Sequence, residues 1–248
     1  MEHQSFIARR MWRSAVITGL LVPLAFILAM GVGLGTVVDA NNDPLGVPYL
    51  VYVAPGLLTA AALQMATAEL AWPLMSGFHW TRQLHAMAAS PISPAQVCDG
   101  LLLWLGLRLT VTLAAYLGIV AAFGGTQRWW VLLAVPIAVL TALAFGSNVA
   151  ALTATVANEG NAFNIVFRFV VTPMFLFSGT FYPITELPDW CQWLAYISPL
   201  WHGTEVARAA GIGHLGGWAV LGHLAYLLLW LGVGVGLARW RFRTRLHA

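Results

Sequence analysis

Six separate stretches of about twenty apolar residues run through this chain, and nothing else in it limits the fold as strongly. A hydrocarbon core roughly 30 Å thick takes about 20 helical residues to cross. The stretches are 15–38, 50–72, 101–123, 129–157, 164–179 and 218–238. Each is expected to be helical, because lipid offers no partner for a free backbone N–H or C=O. Pro23, Pro136 and Pro173 lie inside them and predict kinks, with neighbouring helices satisfying the freed groups. The expected fold is therefore all-α and integral to the membrane: six transmembrane helices in one transmembrane domain over 1–248. Composition agrees. Of 248 residues, 60% are hydrophobic and 8% charged, against roughly 25% charged in a soluble domain. One soluble core of this size could not hide so much apolar surface.

Arginine bias sets the expected direction. With both termini cytoplasmic, the inner side holds Arg9, Arg10, Arg13, Arg82, Arg239, Arg241, Arg243 and Arg245, and the outer side only Arg128 and Arg208. Asp39, Asp43, Glu186 and Asp189 collect outside. The first apolar run is too long for a signal peptide and no small-residue cleavage site closes it. Cys98 and Cys191 fall at opposite faces and read as ordinary thiols. Residues 2–13 mix Phe6, Ile7, Met11 and Trp12 with basic side chains, the pattern of an N-terminal interfacial helix. In the tail 239–247, arginines alternate with Trp240, Phe242 and Leu246. That pattern suits anchoring on anionic lipid, with partner binding as the other reading.

Two connections are more than loops. Between the second and third spans, 78–89 contains no Pro or Gly, and Phe78, Arg82, His85 and Ala89 recur at helical spacing. A short cytoplasmic helix ended by Ser90-Pro91 is predicted. Its Trp80, Arg82 and His85 would dock in a groove on another protein or rest on lipid, two readings the spacing does not separate. Between the fifth and sixth spans, 189–197 and 200–209 predict two short external helices. They are broken by Pro188 and Pro199 and are rich in Trp190, Trp193, Tyr196 and Trp201. Both are too short to span and should dip into the outer interface. Ser178-Gly179 before them reads as a hinge, or as a site of close helix packing.

Much chemistry is excluded. All twelve basic residues are arginine, so a GxxxxGK[ST] phosphate loop, which needs lysine, cannot form. Gly31–Gly35 and Gly232–Gly236 imitate a dinucleotide fingerprint inside spans, without the preceding strand, and their GxxxG spacing suits helix packing. The seven histidines are scattered, and no GxSxG or HExxH occurs. Glu69 and Arg168 are placed near the cytoplasmic ends of their spans, Asp99 at the start of the third, and Arg108 about two turns into it. An acid near the midplane, which an ion-coupled carrier requires, is not expected.

Three stretches, read together, resemble the membrane subunits of ABC-2 type exporters, in the branch of nodulation-factor (NodJ-type) and daunorubicin-resistance permeases. They are Tyr52-Val-Ala-Pro-Gly56, Met87-Ala-Ala-Ser-Pro-Ile-Ser-Pro94 and 175–190, the last followed by 198–202, Glu205 and Arg208. The resemblance implies a type V ABC exporter-like layout, with a coupling helix seated in a cytoplasmic ATPase and external re-entrant helices above the substrate cavity. The coupling residues implied are Phe78, His79, Trp80, Thr81, Arg82, Gln83 and His85. The external gate would comprise Ser178, Gly179, Phe181, Tyr182, Pro183, Pro188, Trp190 and Pro199, and Phe167, Phe175 and Phe177 would line the cavity. ATP and Mg would belong to the partner ATPase, and this chain would hold no cofactor, metal or nucleotide-binding domain and no catalytic residue. A second permease copy or a homologous permease would complete the unit in a bacterial inner membrane, moving lipid-like, glycolipid or drug-like cargo outward by alternating access. No nucleic-acid partner is implied. An ion-coupled secondary transporter and a non-transport assembly subunit are the alternatives.

Overall fold

The apolar stretches become helices in a computed structural model that describes residues 25, 27–40, 46–126, 128–156, 161–213 and 217–246; among these no strand occurs. In chain order they are α1 (27–40), α2 (Tyr49–His79), α3 (Gln83–Ala88), α4 (Pro94–Ala122), α5 (Trp129–Thr155), α6 (Asn161–Phe177), α7 (Asp189–Ile197), α8 (Pro199–Ile212) and α9 (Trp218–Leu246). Four of them, α2, α4, α5 and α9, are long and apolar enough to cross a bilayer, and α6 is a shorter apolar helix. The chain is thus a multi-pass membrane protein. The expected N-terminal interfacial helix at 2–13 and the Pro23 kink lie outside the described residues.

α5 is the centre of the bundle, packed most extensively against α2 and α9, while α8 lies across α2 and α5. The cause is legible in α5 itself: Ala134, Ala138, Ala142, Gly146, Ala150 and Ala154 repeat every fourth residue, all buried. Without a hydrophobic drive between helices in lipid, small side chains let backbones approach and dispersion contacts accumulate. A Cβ on Gly146 would come within 2.9 Å of Leu70. The GxxxG of α9 does less than its spacing suggests. Gly234 packs on Ser147 of α5, whereas Gly232 and Gly236 have nothing within 4 Å.

Several helix bounds differ from expectation. α2 runs seven residues past Trp72, through Pro73. Pro73 gives no N–H to the carbonyl of Glu69. At the very next residue, Thr153 Oγ1 of α5 lies 2.7 Å from the Leu70 carbonyl oxygen and 2.9 Å from that of Val149, so a neighbouring hydroxyl supports the interrupted stretch. α4 begins at Pro94 rather than near 101. Ser93 forms a capping box with Gln96, accepting from its N–H at 3.3 Å and donating its own N–H to Oε1 at 2.9 Å. Pro173 produces a local widening: over Phe167–Val171 the bonding becomes π-type, and Thr172 N–H reaches back to the Phe167 carbonyl. Pro136 sits in the first α-helical turn after a tighter start at Trp129–Leu133, where its missing N–H costs no interior bond.

The expected helix over 78–89 is divided. Phe78 and His79 complete α2, Arg82 takes a left-handed φ of 48°, and only Gln83–Ala88 form α3. The two short helices predicted over 189–197 and 200–209 both form, α7 at the expected bounds and α8 four residues longer. The basic tail is no separate strip, since α9 continues to Leu246.

Candidate functional site

At one end of the bundle the segment 178–208 is fastened by the guanidinium of Arg208. Arg208, 6% exposed, donates Nε to the Tyr52 carbonyl at 3.3 Å, Nη1 to Glu205 Oε1 at 2.7 Å and Nη2 to the Gly179 carbonyl at 2.7 Å. It also lies 3.9 Å from the centre of the Tyr52 ring. A planar fork with five donors is suited to joining three elements at once, which a lysine is not. The Tyr52 stretch, the Gly179 turn and the α8 stretch, on which the family resemblance rests, therefore meet at Arg208. Sequence reasoning counted Arg208 on the outer side and named no partner for it; its place one turn after Glu205 was the available signal.

The rest of this segment is held locally. Gly179 has φ +67°, a conformation L side chains avoid, and a Cβ there would also meet Ile184 at 2.9 Å. Ser178 Oγ and Thr180 Oγ1 are 3.2 Å apart, Tyr49 OH donates to the Phe181 carbonyl, and Tyr182 OH donates to the Leu176 carbonyl. Pro183 precedes a single tight turn, Pro188 precedes α7, and Pro199 opens α8, whose first turn is capped by Ser198 Oγ accepting from Leu200 N–H. Trp190 is exposed. Where α8 meets α9, His202 and His223 are brought together from 21 residues apart. Their Nδ1 atoms are 2.7 Å apart, and the His202 ring stacks on Tyr226 at 3.9 Å. Among the described residues no three metal-ligating side chains cluster.

At the opposite end α9 grips the foot of α2. Arg245 Nη1 donates to the carbonyls of Thr153 and Val156 at 2.8 and 2.9 Å, capping α5, and its Nη2 meets His79 Nε2. The guanidinium carbon lies 4.5 Å from the Phe78 ring centre, and Phe78 packs edge-on against Phe242. Of the expected coupling residues, Phe78 is therefore buried and His79 engaged, while Trp80, Thr81, Arg82 and His85 are exposed and Gln83 is half-buried. Leu84, fully buried against Gly77, pins α3 to α2.

The three phenylalanines expected to line a cavity have different neighbours. Phe167 packs on Trp72, Phe175 meets Phe181 edge-on, and Phe177 borders a cavity of about 210 Å³ with Trp193 and Trp230. Charged side chains within the bundle pair up instead. Arg239 holds Asp99 through two bonds of 2.7 and 2.9 Å, and Arg108 Nη1 lies 2.9 Å from Glu69 Oε1. Glu69, expected near a span end, stands ten residues inside the end of α2, which extends through Pro73.

Comparison with known proteins supports the architecture. The family model for the ABC-2 type transporter matches residues 4–211. The chain is 30% identical over 208 residues to Nodulation protein J of Rhizobium leguminosarum bv. trifolii, covering 82% of this chain and 78% of that protein. It is 28% identical over 207 residues to Nodulation protein J of the biovar viciae, with 82% and 78% covered. Inner membrane transport permease YadH of Escherichia coli K12 is 23% identical over 198 residues, with 77% and 73% covered. No solved structure matches significantly. With a guanidinium-fastened segment at one end, a short helix standing off the other and a family match across most of its length, the chain belongs to the ABC-2 type transporter family and is a membrane transporter permease subunit.

Proposed function

We propose that this permease is the membrane half of an ATP-driven exporter in a bacterial inner membrane, with both termini cytoplasmic. Two copies, or this chain with a homologous permease, would enclose the path of a lipid-like, glycolipid or amphipathic drug-like substrate, moved by alternating access. The observation that carries the reading is the arrangement of α3. A six-residue helix is held off the foot of α2 by a left-handed Arg82 and pinned by Leu84, leaving Trp80, Arg82 and His85 facing outward. An apolar ring and a cation displayed on a rigid stub suit a groove in a partner. ATP and Mg would reside in that partner, an ABC ATPase, and none of the residues named here performs catalysis. The segment 178–208 would form the exit gate, with Gly179 as its turning point.

An ion-coupled carrier is less well supported, because Glu69 is engaged by the fixed charge of Arg108. The test is co-purification with the ATPase encoded beside this permease, for wild type and for the double variant Trp80→Ala, Arg82→Ala. Loss of association or of transport-coupled ATP hydrolysis in a folded variant is the expected result. Unchanged coupling would remove α3 from the interface.

A further inference from the structure

A salt bridge lies where lipid makes charge costly. Arg108 is the middle residue of α4, fourteen residues from Pro94 and fourteen from Ala122, or roughly 21 Å from either end. It and Glu69 are 42% and 38% exposed. Ionisable groups at such depth pair with one another or face water-filled cavities; this pair takes the first course. Beside it runs a crevice of about 80 Å³ between α2 and α4, bordered by Glu69, Pro73, Trp104 and Arg108 and reaching Gly77 and Gln83 at the foot of α3. One water needs roughly 10–15 Å³ on this measure, so the crevice accommodates several.

The pairing leaves capacity. Among the described residues only Nη1 of the Arg108 side chain has a partner, within a fork that carries five donors. Leu103, Leu107 and Val111 form an exposed apolar stripe on the same helix, one residue to the side of Trp104 and Arg108.

We propose that Arg108 and Glu69 form a headgroup site for an anionic amphiphile, with an oxyanion on the free donors of Arg108 and an apolar tail along the 103–107–111 stripe of α4. Arginine selects phosphate, sulfate or carboxylate by its fork and its permanent charge. Glu69 shields that charge when the site is empty and opposes the anion when it is filled. This assigns a substrate class and so rests on the transport reading, but its test needs no ATPase.

The permease, purified in neutral detergent, is titrated with dioctanoyl phosphatidylglycerol, dioctanoyl phosphatidylcholine and inorganic phosphate while thermal unfolding is followed. The phosphatidylglycerol is expected to raise Tm saturably, with the other two ineffective over the same range. Arg108→Gln should weaken the apparent affinity at least about tenfold, the loss of one charge-assisted contact, and Glu69→Gln should tighten it. Arg108→Lys, which keeps the charge without the fork, should fall between, and with Glu69→Gln it keeps the test decisive should Arg108→Gln not fold. Wild-type binding by Arg108→Gln, weakened binding by Glu69→Gln, equal binding of phosphatidylcholine, or an equal response to phosphate alone would each overturn the assignment. Failure of ATPase co-purification would leave this result untouched.

Discussion

Replacing Arg208 by glutamine removes a side chain that ties α2, the Gly179 turn and α8 together. Three hydrogen bonds and a ring contact disappear. Two carbonyl oxygens, of Tyr52 and Gly179, lose a charged donor within buried residues, each at about 1–3 kcal/mol when unsatisfied. Breaking a buried ion pair by removing one member costs about 3–5 kcal/mol. Glu205 is 35% exposed on its side chain, so water recovers part of that, and we expect about 3 kcal/mol for Arg208→Gln. Arg208→Lys keeps the charge but not the three-way geometry, and should lose roughly half as much. The assay is unfolding of the purified permease in mixed micelles as dodecyl sulfate replaces neutral detergent, followed by circular dichroism. Limited proteolysis between 180 and 188 gives a local readout. A stability within about 0.5 kcal/mol of wild type, the range of an ordinary surface change, would refute the view that this guanidinium fastens the external segment.

Three further outcomes are expected. Gly234→Leu should disrupt the α5–α9 contact, since even a Cβ there collides with Ser147, whereas Gly232→Leu and Gly236→Leu should leave unfolding of the isolated permease unchanged. Arg245→Gln uncaps α5 and frees His79, so amide exchange at 153–156 should accelerate while exchange near Tyr52 does not. Burial pushes the His202 imidazole below its ordinary value, and the nearby His223 adds to the effect against the pull of the Tyr196 carbonyl. The folded chain then takes up a proton less readily than the unfolded chain, so this contribution to stability is full above a pH of about 6.5 and declines on acidification. Detergent unfolding at pH 7.5 and 5 should show that decline, and His202→Gln should reduce it.

The long apolar helices were legible because hydropathy over twenty residues outweighs local preference, and α7 and α8 were legible because Pro188 and Pro199 fix where helices begin. What escaped was mostly long-range pairing. Arginine counting treated Arg208 and Arg245 as free surface charge, although each is bound by backbone carbonyls from segments distant in sequence. Ending the second span before Pro73 set Glu69 at a span end, where hydropathy named no partner for it and its pairing with Arg108 was not seen. Proline is a poor terminator where a hydroxyl such as that of Thr153 can support the interrupted turn. The small-residue ladder of α5 was visible in sequence, every fourth residue from Ala134 to Ala154, but the shorter glycine repeats drew the packing argument away from it.

The grips at the two ends of α2 have a mechanical consequence. This helix of 31 residues is about 46 Å long. Near its start the Tyr52 carbonyl is held by Arg208, and at its finish His79 is held by Arg245. A rod clamped at both ends by oriented guanidinium groups carries a tilt imposed at one end to the other, except where it can bend. Its interior prolines are Pro55, close to the clamped start, and Pro73, one turn from Glu69 and the first met from the foot. Motion delivered at α3 would thus be felt at the Glu69–Arg108 pair before it reaches the Gly179 turn. Spin-label distances from the foot of α2 to α4 should accordingly change ahead of those across the external segment.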